Sequence, residues 1–175
     1  MSVNTKAGFS IVKYNDGGNV PHGLNKAPDF IITKNLDLAY NWDIYHSSVG
    51  NSGIFKSDSI NSRNAFGSVN DDTFATVNTF THNSSDEYIA YCWHSIPGYS
   101  AFGSYEANGS TDGPFTYTGF KPAFVMIKRT DVGNGWEIHD NARDPHNPSG
   151  EYLMANETSY SFSSPSKLDL LSNGF

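Results

Sequence analysis

An internal repeat limits the fold of this chain more than any other sequence feature. Four blocks recur in the same order, and the first two pairs share one offset, 122 − 28 = 94 residues, when Pro28 is aligned with Pro122. The pairs are residues 26–34 (KAPDFIITK) with 121–128 (KPAFVMIK), 42–46 (WDIYH) with 136–140 (WEIHD), 8–14 with 98–105, and 78–80 with 173–175. A repeat of this length predicts two related structural units.

Both units are predicted to consist of β-strands. The chain has 22 Ser, 18 Asn, 11 Thr and 16 Gly, and aromatic residues make up 14% of it. This profile is typical of short strands joined by tight turns, and no window shows the 3.6-residue periodicity of a helix. The composition excludes a helical bundle. We therefore expect an all-β fold of two tandem related β-sandwich (jelly-roll-like) units.

The two units are predicted to span residues 1–96 and 97–175. The segment 88–93 (YIAYCW) is apolar on both faces, as expected of a central strand that ends the first unit. The second unit reaches Phe175 before any equivalent segment. We expect either that the chain has been cut short or that a neighbouring chain donates the last strand of this unit.

Charge and hydropathy exclude several classes of protein. The net charge of −7 and the single adjacent basic pair, Lys128 and Arg129, argue against a nucleic-acid-binding protein. No apolar run reaches the ~20 residues that a membrane span needs, and the N-terminus lacks the apolar stretch of a signal peptide. We expect synthesis in the cytoplasm and no membrane insertion.

Metal and cofactor sites are not predicted. The six histidines lack the Cys/His spacing of structural zinc. Asp112 and the pair Asp71–Asp72 offer oxygen ligands for calcium, but neither segment matches the spacing of a calcium-binding loop. Calcium binding stays possible without support from the sequence.

An enzyme is not predicted either. The acidic residues Asp29, Asp43, Glu137 and Asp140 could serve a glycoside hydrolase, but no spacing pairs them. The only cysteine, Cys92, lies in an apolar strand and is expected to be a buried small hydrophobic residue. No catalytic residue is assigned, and a hydrolase that uses Asp/Glu pairs is kept as an open alternative.

Aromatic residues could bind a glycan by stacking on sugar rings. Trp42 and Trp136 occupy equivalent repeat positions two residues before an isoleucine, which favours packing in the core. Candidate ligand-binding aromatic residues are therefore sought on loops, which are exposed. These candidates are Tyr40, Tyr99 and Tyr160.

The segment 140–148 (DNARDPHNP) is the candidate binding loop. Two prolines restrict it, and Arg143 lies between Asp140 and Asp144 in the sequence, with His146 following. These four residues are predicted to contribute to ligand binding. The alternative is a salt-bridged connection with a purely structural role.

Several blocks resemble a known family. They are residues 8–14 (GFSIVKY), 22–32 (HGLNKAPDFII), 88–92 (YIAYC), 102–105 (FGSY), 108–115 (NGSTDGPF) and 143–145 (RDP). The chain resembles a tandem-repeat domain of unknown function found in structural and tail-associated virion proteins of marine and cyanobacterial phages. The resemblance covers residues from about 8 to 175, except the last block of the second repeat.

The resemblance implies a non-enzymatic virion protein. We expect a phage appendage, fibre or capsid-decorating subunit, located in the virion, whose partners are other virion proteins and further copies of itself. The alternative is a glycan-binding module that recognises a host cell surface. The family has no assigned catalytic residues, so none is transferred to this chain.

Overall fold

The computed structural model confirms the predicted all-β class. It describes residues 1–15, 18–50, 54–56, 66–76, 85–131, 133–158 and 161–175. The described residues form β1 (Ser2–Asn4), β2 (Phe9–Asn15), β3 (Asn19–Pro21), β4 (Phe30–Asn35), β5 (Asp43–His46), β6 (Ile54–Lys56), β7 (Phe66–Val69), β8 (Thr73–Thr76), β9 (Glu87–Trp93), β10 (Phe124–Lys128), β11 (Trp136–Asp140), β12 (Ser149–Met154) and β13 (Phe162–Leu168). Every pairing between these strands is antiparallel.

The chain divides into two compact units, unit 1 (Met1–Gly103) and unit 2 (Ser104–Phe175). The division falls after Gly103, whereas the sequence placed it after residue 96. Phe102, which lies just before the division, contacts other residues of unit 1. Its N–H donates to Ser95 Oγ at 3.2 Å. The Phe102 ring also stacks on Phe30, with 5.7 Å between the ring centroids.

The described residues of unit 1 form two sheets around one apolar core. The larger sheet has the strand order β1-β2-β9-β4-β5-β6, and the smaller has the order β3-β8-β7. Tyr14 and Tyr88 of the larger sheet pack in one buried cluster with Phe66 and Phe74 of the smaller sheet. Because alternate residues of a strand point to opposite faces, one face of each sheet supplies this core. The predicted central strand at residues 88–93 is confirmed, since β9 lies between β2 and β4.

A fully buried histidine, His22, follows the short strand β3. Its Nε2 donates to the carbonyl oxygen of Asn70 at 3.0 Å, and its Nδ1 accepts the N–H of Leu24 at 3.1 Å. The bond from Leu24 requires the neutral ring, because protonation of Nδ1 removes the acceptor that Leu24 uses, whereas Nε2 can donate to Asn70 in either state. Burial lowers the pKa of His22 below the ordinary value of 6.5, against smaller raising effects from Asn70 and two aspartates.

The lowered pKa of His22 predicts loss of stability in mild acid. The contribution of His22 to the free energy of unfolding is expected to be fully present above pH 6.5. It is expected to be lost as the pH drops from 6.5 towards the lowered pKa, because the unfolded chain binds the proton more tightly than the folded chain does. Urea unfolding between about pH 7.5 and 5 measures this slope. The variant His22→Gln is expected to show a shallower slope, with a residual part from His46, whose pKa burial also lowers. Equal slopes for wild type and variant would contradict the prediction.

Unit 2 contains one four-stranded sheet among its described residues, with the order β10-β11-β12-β13. The buried large apolar residues on these strands are Val125, Trp136 and Tyr152. Tyr152 stacks on His139 and on Phe162, at centroid distances of 5.4 and 5.6 Å. A complete second sandwich stays a prediction.

The repeat is reproduced in the structure as a hairpin with the same register in both units. In unit 1, β4 and β5 pair Phe30 with His46, and the pairing continues through Thr33 with Asp43. Adding 94 to each number gives the pairing of β10 with β11, from Phe124 with Asp140 to Ile127 with Glu137. All four residue pairs coincide, so the sequence repeat corresponds to a structural repeat.

The turns next to the two hairpins are also equivalent. The N–H of Ser47 donates to the carbonyl of Asp29, and its counterpart Asn141 donates to Ala123. Within each hairpin, a lysine amine reaches a carbonyl of the connecting loop, Lys34 to Tyr40 in unit 1 and Lys128 to Asn134 in unit 2. The repeat therefore preserves the backbone geometry although the side chains differ.

The predicted burial of the two equivalent tryptophans is right for Trp136 and wrong for Trp42. Trp136 is the first residue of β11, where it pairs with Lys128, and is 4% exposed, whereas Trp42 precedes the first residue of β5 and is 39% exposed. Trp42 therefore lacks the strand pairing that directs Trp136 inwards.

The predicted burial of Cys92 is confirmed. Its side chain is fully buried, and desolvation raises the pKa of the thiol to about 12. The described residues include no helix with the length and apolar character needed to cross a membrane.

Candidate functional site

The predicted binding loop begins with a turn that Asp140 stabilises. Asp140 Oδ1 accepts the N–H groups of Ala142 and Arg143, at 3.1 and 2.7 Å. Asp140 Oδ2 lies 3.3 Å from Nε of Arg143. In unit 1, the equivalent residue His46 accepts the N–H of Ser48 through Nδ1 at 3.1 Å. The Asp140 side chain thus holds a turn that both units share.

The second carboxylate of the loop, that of Asp144, also binds backbone. Its Oδ1 accepts the N–H of His146 at 3.2 Å, and its Oδ2 accepts the N–H groups of Gly150 and Glu151 at 2.8 and 3.2 Å. The bonds from Gly150 and Glu151 are the main reason that the pKa of Asp144 is lowered. The structure therefore brings Asp140, Arg143, Asp144 and His146 into one loop, where both carboxylates contact the backbone of the loop itself.

The three predicted ligand-binding tyrosines lie in different parts of the chain. Tyr99 is 65% exposed in the turn after β9, and its N–H donates to the carbonyl of Ile96 at 3.0 Å. Tyr40 is half-buried in the connection between β4 and β5. Tyr160 lies outside the described residues. Tyr99 is therefore the most accessible of these candidates that the structure describes.

The carboxylates considered for hydrolysis have separate surroundings. Asp29 Oδ2 accepts the N–H and the hydroxyl of Ser95, at 2.7 and 2.9 Å. Asp43 is buried at the start of β5, and Asp140 holds its turn. The described part of the chain gathers no group of three or more His, Cys, Asp or Glu residues that could hold a metal ion.

A charged cluster on unit 2 was missed by the sequence analysis. Glu137 lies 3.2 Å from Nζ of Lys167 and 3.7 Å from Nε2 of His139. The contacts with His139 and Lys167 lower the pKa of Glu137 against desolvation. Glu137 and His139 are two residues apart in one strand, and this spacing indicates that they share a face of the sheet. Lys167 comes from β13, so the sequence could not show that it joins them. His139 is 1% exposed, whereas the side chains of Glu137 and Lys167 are 29% and 33% exposed, so only the histidine of this cluster is covered.

The two equivalent strands β4 and β10 differ in their partners. In unit 1, β4 lies between β5 and β9, whereas β10 is the terminal strand of the sheet that the described residues form. Phe30 at the start of β4 is 7% exposed and contacts Trp93 and Phe102. Its counterpart Phe124 is 57% exposed. Among the described residues, β10 therefore has a partner strand on one side only, and we call its other edge open, whereas the equivalent strand β4 is paired on both sides.

The profile of one family, described as "Domain of unknown function (DUF7483)", matches residues 1–175. The chain belongs to this DUF7483 family. No curated protein matches it. No solved structure matches it either. The family description names no activity, so the function of this DUF7483 domain has to be argued from its own residues.

An aromatic row on the larger sheet of unit 1 is a second candidate surface of the DUF7483 domain. Tyr91 of β9 lies between Trp42 and Trp93, at centroid distances of 6.4 and 6.2 Å. Trp93 continues the row to Phe9 at 5.0 Å. Tyr91 alternates along β9 with the buried residues Ala90 and Cys92, so the row is on the opposite face from the core.

Proposed function

We propose that this chain is a non-enzymatic structural protein of a phage virion, an appendage, fibre or capsid-decorating subunit that acts by assembly with other proteins. The observation that carries the proposal is the open edge of β10. Terminal strands present unpaired backbone groups to which another strand can pair. An assembly protein uses such an edge, whereas an isolated domain has to protect it.

The candidate loop supports the proposal. Asp140 and Asp144 direct their carboxylates to backbone N–H groups within or beside the loop. Carboxylates with these partners stabilise a turn. The acidic net charge of −7 keeps subunits soluble before assembly.

Purified particles test the proposed function. Mass spectrometry of density-purified virions from a phage that encodes this chain is expected to detect it in a fixed copy number relative to the major capsid protein. Particles washed at high salt are expected to retain it. Its absence from washed particles, with abundant chain in the infected-cell lysate, would overturn the virion assignment.

The aromatic row supports a second candidate, a glycan-binding module. Aromatic side chains on a sheet face can stack on sugar rings, and Trp42 and Tyr91 combine an apolar ring with a polar group. This candidate would be supported if the chain is retained on a glycan array and Trp42→Ala removes the retention. A substitution at the exposed Phe115 should leave the retention unchanged. Absence of retention on a broad array would remove it.

A further inference from the structure

The open edge of β10 has a defined counterpart inside the same chain. In unit 1 the corresponding edge of β4 is occupied by β9, with Ile32 opposite Tyr91 and Asn35 opposite Tyr88. The hairpins β4–β5 and β10–β11 have the same register. Unit 1 therefore shows what kind of strand fits the edge of β10, and in which register.

We propose that the edge of β10 binds an antiparallel strand of the β9 type. A β9-type strand alternates between the residues Tyr88, Ala90 and Cys92 on one face and the residues Ile89, Tyr91 and Trp93 on the other. This inference rests on the assembly function proposed above and names the partner of that same edge. Strand addition of this kind takes its affinity from backbone hydrogen bonds and its register from alternate side chains.

The backbone geometry indicates which N–H groups face the donor. The N–H of Leu36 donates to the carbonyl of Glu87, and N–H groups alternate between the two sides of a strand. The N–H of Ile32 therefore points towards β9, and that of its counterpart, Met126, points to the open edge. On the donor, the N–H of Tyr91 faces the acceptor strand and that of Ala90 faces away.

Side chains near the end of β10 suit the acidic start of a β9-type strand. In unit 1, Asn35 Nδ2 donates to Asp86 Oδ2 at 2.9 Å, just before β9 begins. The counterpart of Asn35 in the repeat is Arg129, 35 + 94 = 129, whose guanidinium binds the exposed carboxylate of Asp131. A basic residue thus occupies the position where unit 1 contacts an acidic one.

One anchor of unit 1 has no equivalent at the edge of β10. Asp29 Oδ2 binds the N–H and hydroxyl of Ser95 beyond the end of β9, whereas its counterpart is Ala123. We therefore expect the donated strand to be held through its backbone and its first residues more than through its last ones.

Peptide binding to the full chain tests the proposal. The probe is a synthetic peptide of residues 86–95 with Cys92→Ala. It is expected to slow hydrogen exchange of the Met126 amide by about tenfold or more at saturation. The same peptide N-methylated at Tyr91 is expected to lose this effect, and the matched peptide N-methylated at Ala90 is expected to keep it. No slowing, or equal slowing by the two N-methylated peptides, would overturn the proposal.

Two chain variants test the acceptor side. Met126→Pro removes the N–H at the open edge and is expected to abolish peptide binding, because proline is tolerated on an edge strand whose N–H faces solvent. Met126→Ala keeps the N–H and is expected to retain binding. Exchange protection of the Val125 and Ile127 amides, which face β11, reports whether each variant keeps its hairpin. If particles contain the chain but the peptide does not bind, the assembly function stands and the edge is not its interface.

Discussion

Replacing Phe74 with alanine is expected to destabilise unit 1 by ~3–5 kcal/mol, the usual cost of deleting a buried aromatic ring. Phe74 is fully buried in the smaller sheet. Its ring meets Tyr14 of the larger sheet edge-to-face at a centroid distance of 5.5 Å, and Phe66 at 6.1 Å. The cavity would open between the two sheets, both of which contribute residues to this core. A loss of this size is a large part of the ~5–15 kcal/mol that stabilises a typical domain.

Unfolding followed separately for the two units measures the effect of Phe74→Ala. Exchange of the β9 amides reports on unit 1, and exchange of the β11 amides reports on unit 2. Tyr99→Ala is the matched control, because this aromatic residue belongs to unit 1 but is 65% exposed and should cost less than ~0.5 kcal/mol. If Phe74→Ala cost no more than Tyr99→Ala, the smaller sheet would not close the core of unit 1.

The hairpin of each unit could be predicted from the sequence because its signals are local. Residues 30–34 and 124–128 are apolar runs that begin two residues after a proline. After each run, one short loop leads to a second strand. The position of β9 between β2 and β4 required pairing across 50 or more residues, which no local pattern specifies. The sequence repeat also matched residues 98–105 with residues 8–14, most of which form β2. Residues 98–105 form no strand, and most of them belong to unit 1.

The candidate loop was found from its composition, but the partners of its carboxylates were not. Asp140 follows a local turn rule, since short acidic side chains accept the N–H groups two and three residues on. Asp144 reaches Gly150 and Glu151 at the start of β12, and this contact depends on how the loop returns to the sheet. The exposure of Phe124 could not be predicted from the sequence around it. Its exposure depends on whether another strand pairs with β10, and no second partner strand lies among the described residues.

Gly8→Ala is expected to destabilise unit 1 by about 2–4 kcal/mol, from backbone strain and a steric clash together. Gly8 has φ of +61°, a conformation that costs an alanine ~1–2 kcal/mol. A Cβ atom here would lie 2.6 Å from the carbonyl oxygen of His94 and 2.9 Å from Cγ1 of Ile96. The backbone is fixed on both sides, because the N–H of His94 donates to the carbonyl of Gly8 at 2.9 Å.

Gly98→Ala separates the clash from the strain. Gly98 has a similar φ of +76°, but a Cβ atom there would meet nothing within 4 Å, so its substitution should cost only the conformational part. The difference between the two free energies of unfolding, measured in urea, reports the contact of residue 8 with the chain after β9. A positive difference, with faster amide exchange at His94 in Gly8→Ala alone, would show that β2 and the segment after β9 must approach this closely. Equal losses would mean that the segment after β9 can move away, and that only the left-handed backbone requires glycine at position 8.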